Sequence, residues 1–207
     1  MKIMEQTQAR INIYGLLSRV LLQELDEQTL NIIKNDPMIM DFLPQFQEWK
    51  PLKEVDNKKL LEEYLNPDFV NISVLHLIPY ESFYVRDDQM IETGGANPVT
   101  DMYSAYDFMV DYEAARTVSS DHIGVELEFM HHLAKAELSA LQENDIEARV
   151  ELQRVQKEFL NKHLLRWAPI YLLNMKYEAR TPLYFDAADM ALEFILSDNE
   201  YLVSELK

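Results

Sequence analysis

Apolar residues recur at helical spacing through most of the chain. Ala9, Ile13, Leu16, Leu17, Val20 and Leu21 predict a first amphipathic helix over about residues 4–24. Asp26 then caps a segment carrying Leu30, Ile32 and Ile33, Pro37 opens a further turn, and Pro44 and Pro51 interrupt the chain. Asp56 is placed to cap a helix with Leu60, Leu61, Tyr64 and Leu65, which Pro67 ends. The β-branched, partly alternating stretch 70–78 is the best strand candidate. It has no second strand to pair with, so it is expected to be an extended or short helical connector to Pro79. Beyond Pro98 the pattern predicts helices over about 98–115, 120–141, 144–165, 168–178 and 182–196, with Pro169 and Pro182 near helix starts and Thr181 as a cap.

Polar groups break this pattern most sharply at Ser119–Met130. Advancing 100° per residue, Ile123, Leu127, Phe129, Met130, Leu133 and Ala134 share one arc, the stripe that meets a core. His122 and Glu126 fall inside the arc one turn apart, within reach of each other, and a buried carboxylate and imidazole need partners. Asp121 points elsewhere, where it can accept from the free N–H groups of the first turn. Two readings follow: a capping acid beside a satisfied semi-buried histidine, or the floor of a peptide-binding or catalytic site.

Only four glycines occur and strand-like alternation is rare, so the fold class is all-α, a single-domain helical bundle without significant sheet. With 207 residues, 48% of them hydrophobic, the chain can bury a real core and is taken as one domain, 1–207, with a loop excursion at about 86–97. A net charge of −17 argues against nucleic acid and favours a basic peptide as ligand. The absence of cysteine excludes disulfides and thiol catalysis. Met1–Arg10 lacks the basic start and apolar run of a signal peptide, and no apolar run is long enough to span a membrane. A soluble, cytoplasmic protein without stable membrane insertion is expected.

Candidate chemistry is sparse. Asp121, Glu128 and His132 share a stripe to which His76 or His163 could add ligands, yet no compact metal motif is present and a solvated helix face is the simpler account. His131 and His132 diverge by about 100° on a helix. Gly94 and Gly95 lie outside any strand-turn-helix phosphate motif, and nothing resembles a nucleophile elbow or a metalloprotease helix. No cofactor, metal or catalytic residue is therefore assigned. Pro79-Tyr80-Glu81-Ser82-Phe83-Tyr84 combines aromatics with one acid at a proline-initiated turn, suited either to a core helix or to a groove for a cationic, apolar ligand. The Asn161–Pro169 stretch is similarly dense and reads equally as a packed helix corner.

In order and spacing these segments resemble the TorD/DmsD/NarJ family of cytoplasmic chaperones for molybdenum-containing redox enzymes. The resemblance runs through Tyr80-Glu81-Ser82 with Tyr84, Val99 with Tyr103 and Tyr106, Asp121-His122-Ile123 followed by Glu126-Leu127, and His163-Leu164 with Trp167-Ala168-Pro169. It implies an all-helical, non-enzymatic protein that binds the amino-terminal leader of an apo-oxidoreductase, in many members a twin-arginine signal, until the cofactor is inserted. In the family the acid-histidine pair is linked to that binding, which carries over to Asp121 and His122 and, less directly, to Tyr80, Glu81 and Ser82. Glu81, Asp121 and Glu126 then offer carboxylates to guanidinium groups, while Tyr80, Phe83, Phe129 and Leu133, with Trp167 nearby, offer apolar surface. Where family members often carry glutamate and proline before the pair, this chain has Val118 and Ser120, which allows a subgroup serving a differently targeted partner. The alternatives are a generic helical scaffold and a metal-assisted hydrolase. A monomer is the expected state, with a domain-swapped dimer through the 86–97 loop as its variant.

Overall fold

The computed structural model describes residues 2–94 and 97–206; Gly95 and Ala96 of the expected loop excursion lie outside the described residues. Among those described the chain is helical and contains no strand, the one β-type contact being an isolated antiparallel bridge between Tyr80 and His122. The all-α expectation therefore holds. The chain divides into two compact units, Met1–Leu22 with Tyr80–Ala168 and Ile195–Lys207, and Gln23–Pro79 with Pro169–Phe194.

The first unit is built on two long helices, Lys2–Leu22 and Ile123–Glu143, which pack along each other. Gly124 sets how closely they meet. A Cβ there would stand 2.6 Å from the Leu22 Cβ and 2.7 Å from its Cα. The missing side chain lets the backbones touch, and the Ser18 hydroxyl donates to the Gly124 carbonyl at 2.8 Å. Helix Ile146–Phe159 returns against Ile123–Glu143 after a turn in which Asn144 takes the left-handed conformation (φ 58°), and it runs on through a π-helical turn, Leu160–Leu164. Aromatic side chains fill the space between these helices. Phe129 lies 4.6 Å from Tyr103 and 4.8 Å from Phe159 between ring centroids.

The first helix buries only part of the face its hydrophobic spacing suggests. Leu17, Val20 and Leu21 are buried as expected, whereas Ala9 is exposed, Ile13 and Leu16 are half-buried, and Thr7, Arg10, Ile11, Tyr14 and Ser18 face inward as well. Partners explain the buried polar positions. Arg10 donates to Glu137 at 2.7 Å, to both oxygens of Asp198 and to Gln156, and the Tyr14 hydroxyl donates to Asp198 at 2.6 Å. Gln153 and Gln156 complete the shell of Glu137 at 2.7 and 3.0 Å. Each charge thus has an opposite charge and hydrogen bonds, the condition under which charged side chains tolerate burial.

The second unit opens with short helices. Asp26 and Asp56 cap as expected, accepting the Thr29 N–H at 2.7 Å and the Lys59 N–H at 2.9 Å. The prolines differ from expectation. Pro44 and Pro51 sit in the first turns of the Pro44–Glu48 and Lys50–Glu54 helices, where proline sacrifices no hydrogen bond. Pro67 ends nothing, because helical winding continues from Leu60 through Asn66–Val70 and into a π-helical turn, Asn71–His76, in place of the strand candidate. Pro169 likewise lies inside the Leu165–Glu178 helix. Thr181 is not a simple cap: its hydroxyl donates to Asp68 at 2.7 Å, while Asp68 also accepts the backbone N–H groups of Arg180 and Thr181. Asp186 accepts the Phe46 N–H at 2.8 Å, pinning the start of Pro44–Glu48 to the Pro182–Glu205 helix.

Candidate functional site

The acid-histidine pair lies in the first unit, but its members exchange the roles expected of them. His122 caps the Ile123–Glu143 helix, its Nδ1 accepting the Gly124 N–H at 3.1 Å, which places any ring proton of the neutral form on Nε2. Asp121 does not cap this helix. It is fully buried, and its Oδ2 accepts the backbone N–H of Ser82 at 2.7 Å while its Oδ1 accepts from the Asn97 amide at 3.0 Å and from the Ser119 hydroxyl. The Asp121 carbonyl also accepts the Glu81 N–H at 2.9 Å. Asp121 therefore clamps the start of the Glu81–Val85 helix from a distant part of the chain. A neighbouring capping role passes to His122 because that residue is extended, paired with Tyr80, immediately before the helix begins.

This clamp brings together most of the residues singled out in the sequence. Tyr80 meets the His122 ring edge-on at 5.1 Å and shares a hydrogen bond with Thr117 at 3.0 Å. Ser82 gives its N–H to Asp121 and its hydroxyl accepts the Glu92 N–H at 3.0 Å. Glu81 is buried and bonded to His163 at 2.9 Å, so His163 serves a carboxylate. Glu126 turns to Trp167, whose indole N–H donates to it at 3.3 Å, and the expected contact between His122 and Glu126 is replaced by separate partners for each. Trp167 is itself buried, with Tyr84 stacked on it at 5.4 Å. Phe129 belongs to the aromatic core around Tyr103 and Phe159, away from any open face.

The electrostatics are those of a buried cluster of carboxylates. Burial, then the negative charges of Glu81 and Asp121, lift the Glu126 carboxyl well above the ordinary range, against the opposing hydrogen bond from Trp167. Burial pushes the His122 imidazole down to about 4, a shift the Asp121 charge only partly offsets. Burial alone raises the Tyr84 hydroxyl to about 12. At neutral pH His122 is thus uncharged and keeps Nδ1 free to accept. The serines nearby are occupied structurally: Ser119 donates to Asp121, and Ser120 shares a hydrogen bond with Tyr112 at 2.7 Å. Among the described residues no group of three His, Asp or Glu is placed to hold a metal ion. Glu128 is exposed, and His132 bonds the Tyr106 carbonyl at 3.0 Å.

Comparison with known proteins settles what kind of chain carries this clamp. Residues 38–171 match the family described as nitrate reductase delta subunit. The chain belongs to that family, the one of TorD- and NarJ-type proteins. Over 211 residues it is 26% identical to the chaperone protein TorD of Photobacterium profundum, covering 95% of both chains. The TorD of a Vibrio cholerae O1 strain is 27% identical over 219 residues, 98% of this chain and 94% of its own. A perchlorate reductase assembly chaperone of Dechloromonas aromatica is 30% identical over 103 residues, 48% of this chain and 43% of its own.

Sequence reasoning missed Asn97 and Thr117 and gave Ser119, the first residue of the polar stretch, no role; all three complete the clamp. Asn97 carries a faint signal, since asparagine before proline marks a turn whose side chain bonds backbone, and here its Oδ1 accepts the Val99 N–H at 3.2 Å. Nothing in the local pattern announced that its amide nitrogen would face Asp121.

Proposed function

We propose that this protein is a cytoplasmic maturation chaperone that binds the amino-terminal leader of an apo-molybdenum oxidoreductase and holds it for cofactor insertion before export or assembly. It is not an enzyme, in keeping with its family and with relatives named as chaperones. The observation that carries this reading is the alignment with TorD chaperones along nearly the full length of both chains. Residues 1–207 are accordingly taken as one TorD-like domain, acting as a monomer.

The charge of the chain supports a leader with a twin-arginine signal. A net charge of −17 attracts a basic peptide, and Tyr80, Glu81, Ser82, Asp121 and His122, backed by Glu126, Phe129 and Trp167, form the largely buried scaffold beside which it binds. Among the described residues no helix is long and apolar enough to cross a membrane.

Calorimetric titration with leader peptides of molybdenum oxidoreductases, each beside an Arg-Arg to Ala-Ala control, tests this function. Saturable binding that the control loses is the expected result. Binding indifferent to the arginines would replace the twin-arginine element by another leader feature, and no binding to any leader would overturn the assignment in favour of a generic helical scaffold.

A further inference from the structure

The buried carboxylates leave open which groups a ligand touches. Glu81, Asp121 and Glu126 have no exposed surface, and both Asp121 oxygens are filled by Ser82, Asn97 and Ser119. These side chains hold the scaffold, so a peptide arriving from solvent meets other residues. The adjoining segment, 106–118, supplies them. Asp107 (φ 54°) and Arg116 (φ 53°) bracket it in left-handed turns. Phe108 turns inward to lie 4.9 Å from Tyr103 and 5.3 Å from Phe129, the Tyr112 hydroxyl meets Ser120 at 2.7 Å, and Thr117 meets Tyr80 at 3.0 Å. On this pinned backbone Met109 is 90% exposed, Val118 61% and Tyr112 48%. The same segment carries Asp107, Asp111 and Glu113 against the single base Arg116.

We propose that Met109, Tyr112 and Val118, set among Asp107, Asp111 and Glu113, form the docking face for the apolar run of a basic leader peptide. This rests on the leader-binding function above. Charge complementarity selects the occupant: the acids steer and orient a cationic peptide, and the apolar side chains, held by turns and internal bonds, meet its hydrophobic run with little ordering left to do. A flexible methionine suits such a surface because it adapts to varied apolar partners. The face adjoins the clamp through Tyr112–Ser120 and Tyr80–Thr117, so Asp121 acts on binding as a positioning residue that fixes the segment.

The test is calorimetric titration of the wild-type protein and of the double variant Met109→Ser, Val118→Ser. The probe is a synthetic leader with an Arg-Arg pair followed by a Leu- and Ala-rich run, beside the same peptide with that run changed to Ser and Gly. The variant is expected to bind the first peptide roughly tenfold or more weakly with an unchanged thermal midpoint, and to bind the second no differently from wild type. Glu113→Gln is expected to reduce the salt dependence of binding. Equal affinity of wild type and variant for the first peptide would overturn the docking face and leave the chaperone function standing. Failure of the wild type to bind either peptide would overturn both.

Discussion

Asp121 and Ser82, 39 positions apart in sequence, are joined by a 2.7 Å hydrogen bond from the Ser82 backbone N–H to a carboxylate with no exposed surface. The bond ties the loop before one helix to the first turn of another. It places the acid of the acid-histidine pair inside the fold, where its first effect is on geometry.

Replacing Asp121 with alanine should therefore be felt as lost stability as well as lost binding. The Ser82 N–H loses its buried acceptor, whereas the Asn97 amide keeps the Glu92 carbonyl and the Ser119 hydroxyl, and the predicted cost is about 1–3 kcal/mol in urea unfolding, the range for one unsatisfied buried group. An Asp121→Ala protein as stable as wild type would show that the clamp is not what holds residues 80–85.

His122 and Glu126 predict opposite dependences on pH. The His122 imidazole is held near 4 in the fold against an ordinary 6.5, so the unfolded chain binds the proton first on acidification. Its contribution is complete above about pH 6.5 and is lost as pH falls toward 4, up to about 3 kcal/mol. Glu126 works the other way: its carboxyl is raised, so the fold binds a proton first and stability declines as pH rises through that raised value. Glu126→Gln keeps an acceptor for the Trp167 indole and removes the charge. Urea titrations from pH 4 to 8 should show this variant gaining stability over wild type at the upper end, whereas His122→Ala should flatten the lower end. Parallel curves for wild type and both variants would refute the assignment.

Arg10 should be among the most sensitive positions in the chain. Arg10→Met leaves Glu137 and Asp198 buried without their cation, a loss of about 3–5 kcal/mol. Arg10→Lys should recover only part, since one ammonium cannot reproduce the forked bonds to Glu137, Gln156 and Asp198. A thermal midpoint within a degree or two of wild type for Arg10→Met would contradict the network.

Much of the fold was legible in local pattern. Helical spacing from Ile123 to Ala134 matched the buried face of the longest internal helix, and Asp26 and Asp56 announced their caps because an N-cap bond is made within three residues. The first helix was legible only in part. Its apolar spacing marked Leu17, Val20 and Leu21, which are buried, together with Ala9, Ile13 and Leu16, which are not, and no local rule assigns Arg10 and Tyr14 to the interior when their partner, Asp198, lies more than 180 residues away. Pro67 misled as well, because a proline early in a helical turn and one that stops a helix look alike in sequence.

The candidate site was legible as a set of residues and not as an arrangement. Asp121 and His122 stand out because polar groups interrupt apolar periodicity, and Tyr80, Glu81 and Ser82 because aromatics and an acid meet at a proline-initiated turn; both are properties of the chain alone. Which of them caps a helix, which clamps a loop, and that Glu81 would answer to His163 while Glu126 answers to Trp167 were decided only by tertiary structure. The physical reason is range. Helical winding and capping arise between residues a turn apart, so sequence determines them; the burial of a carboxylate is settled by whichever distant donors the fold delivers to it, and those appear only once the helices have packed.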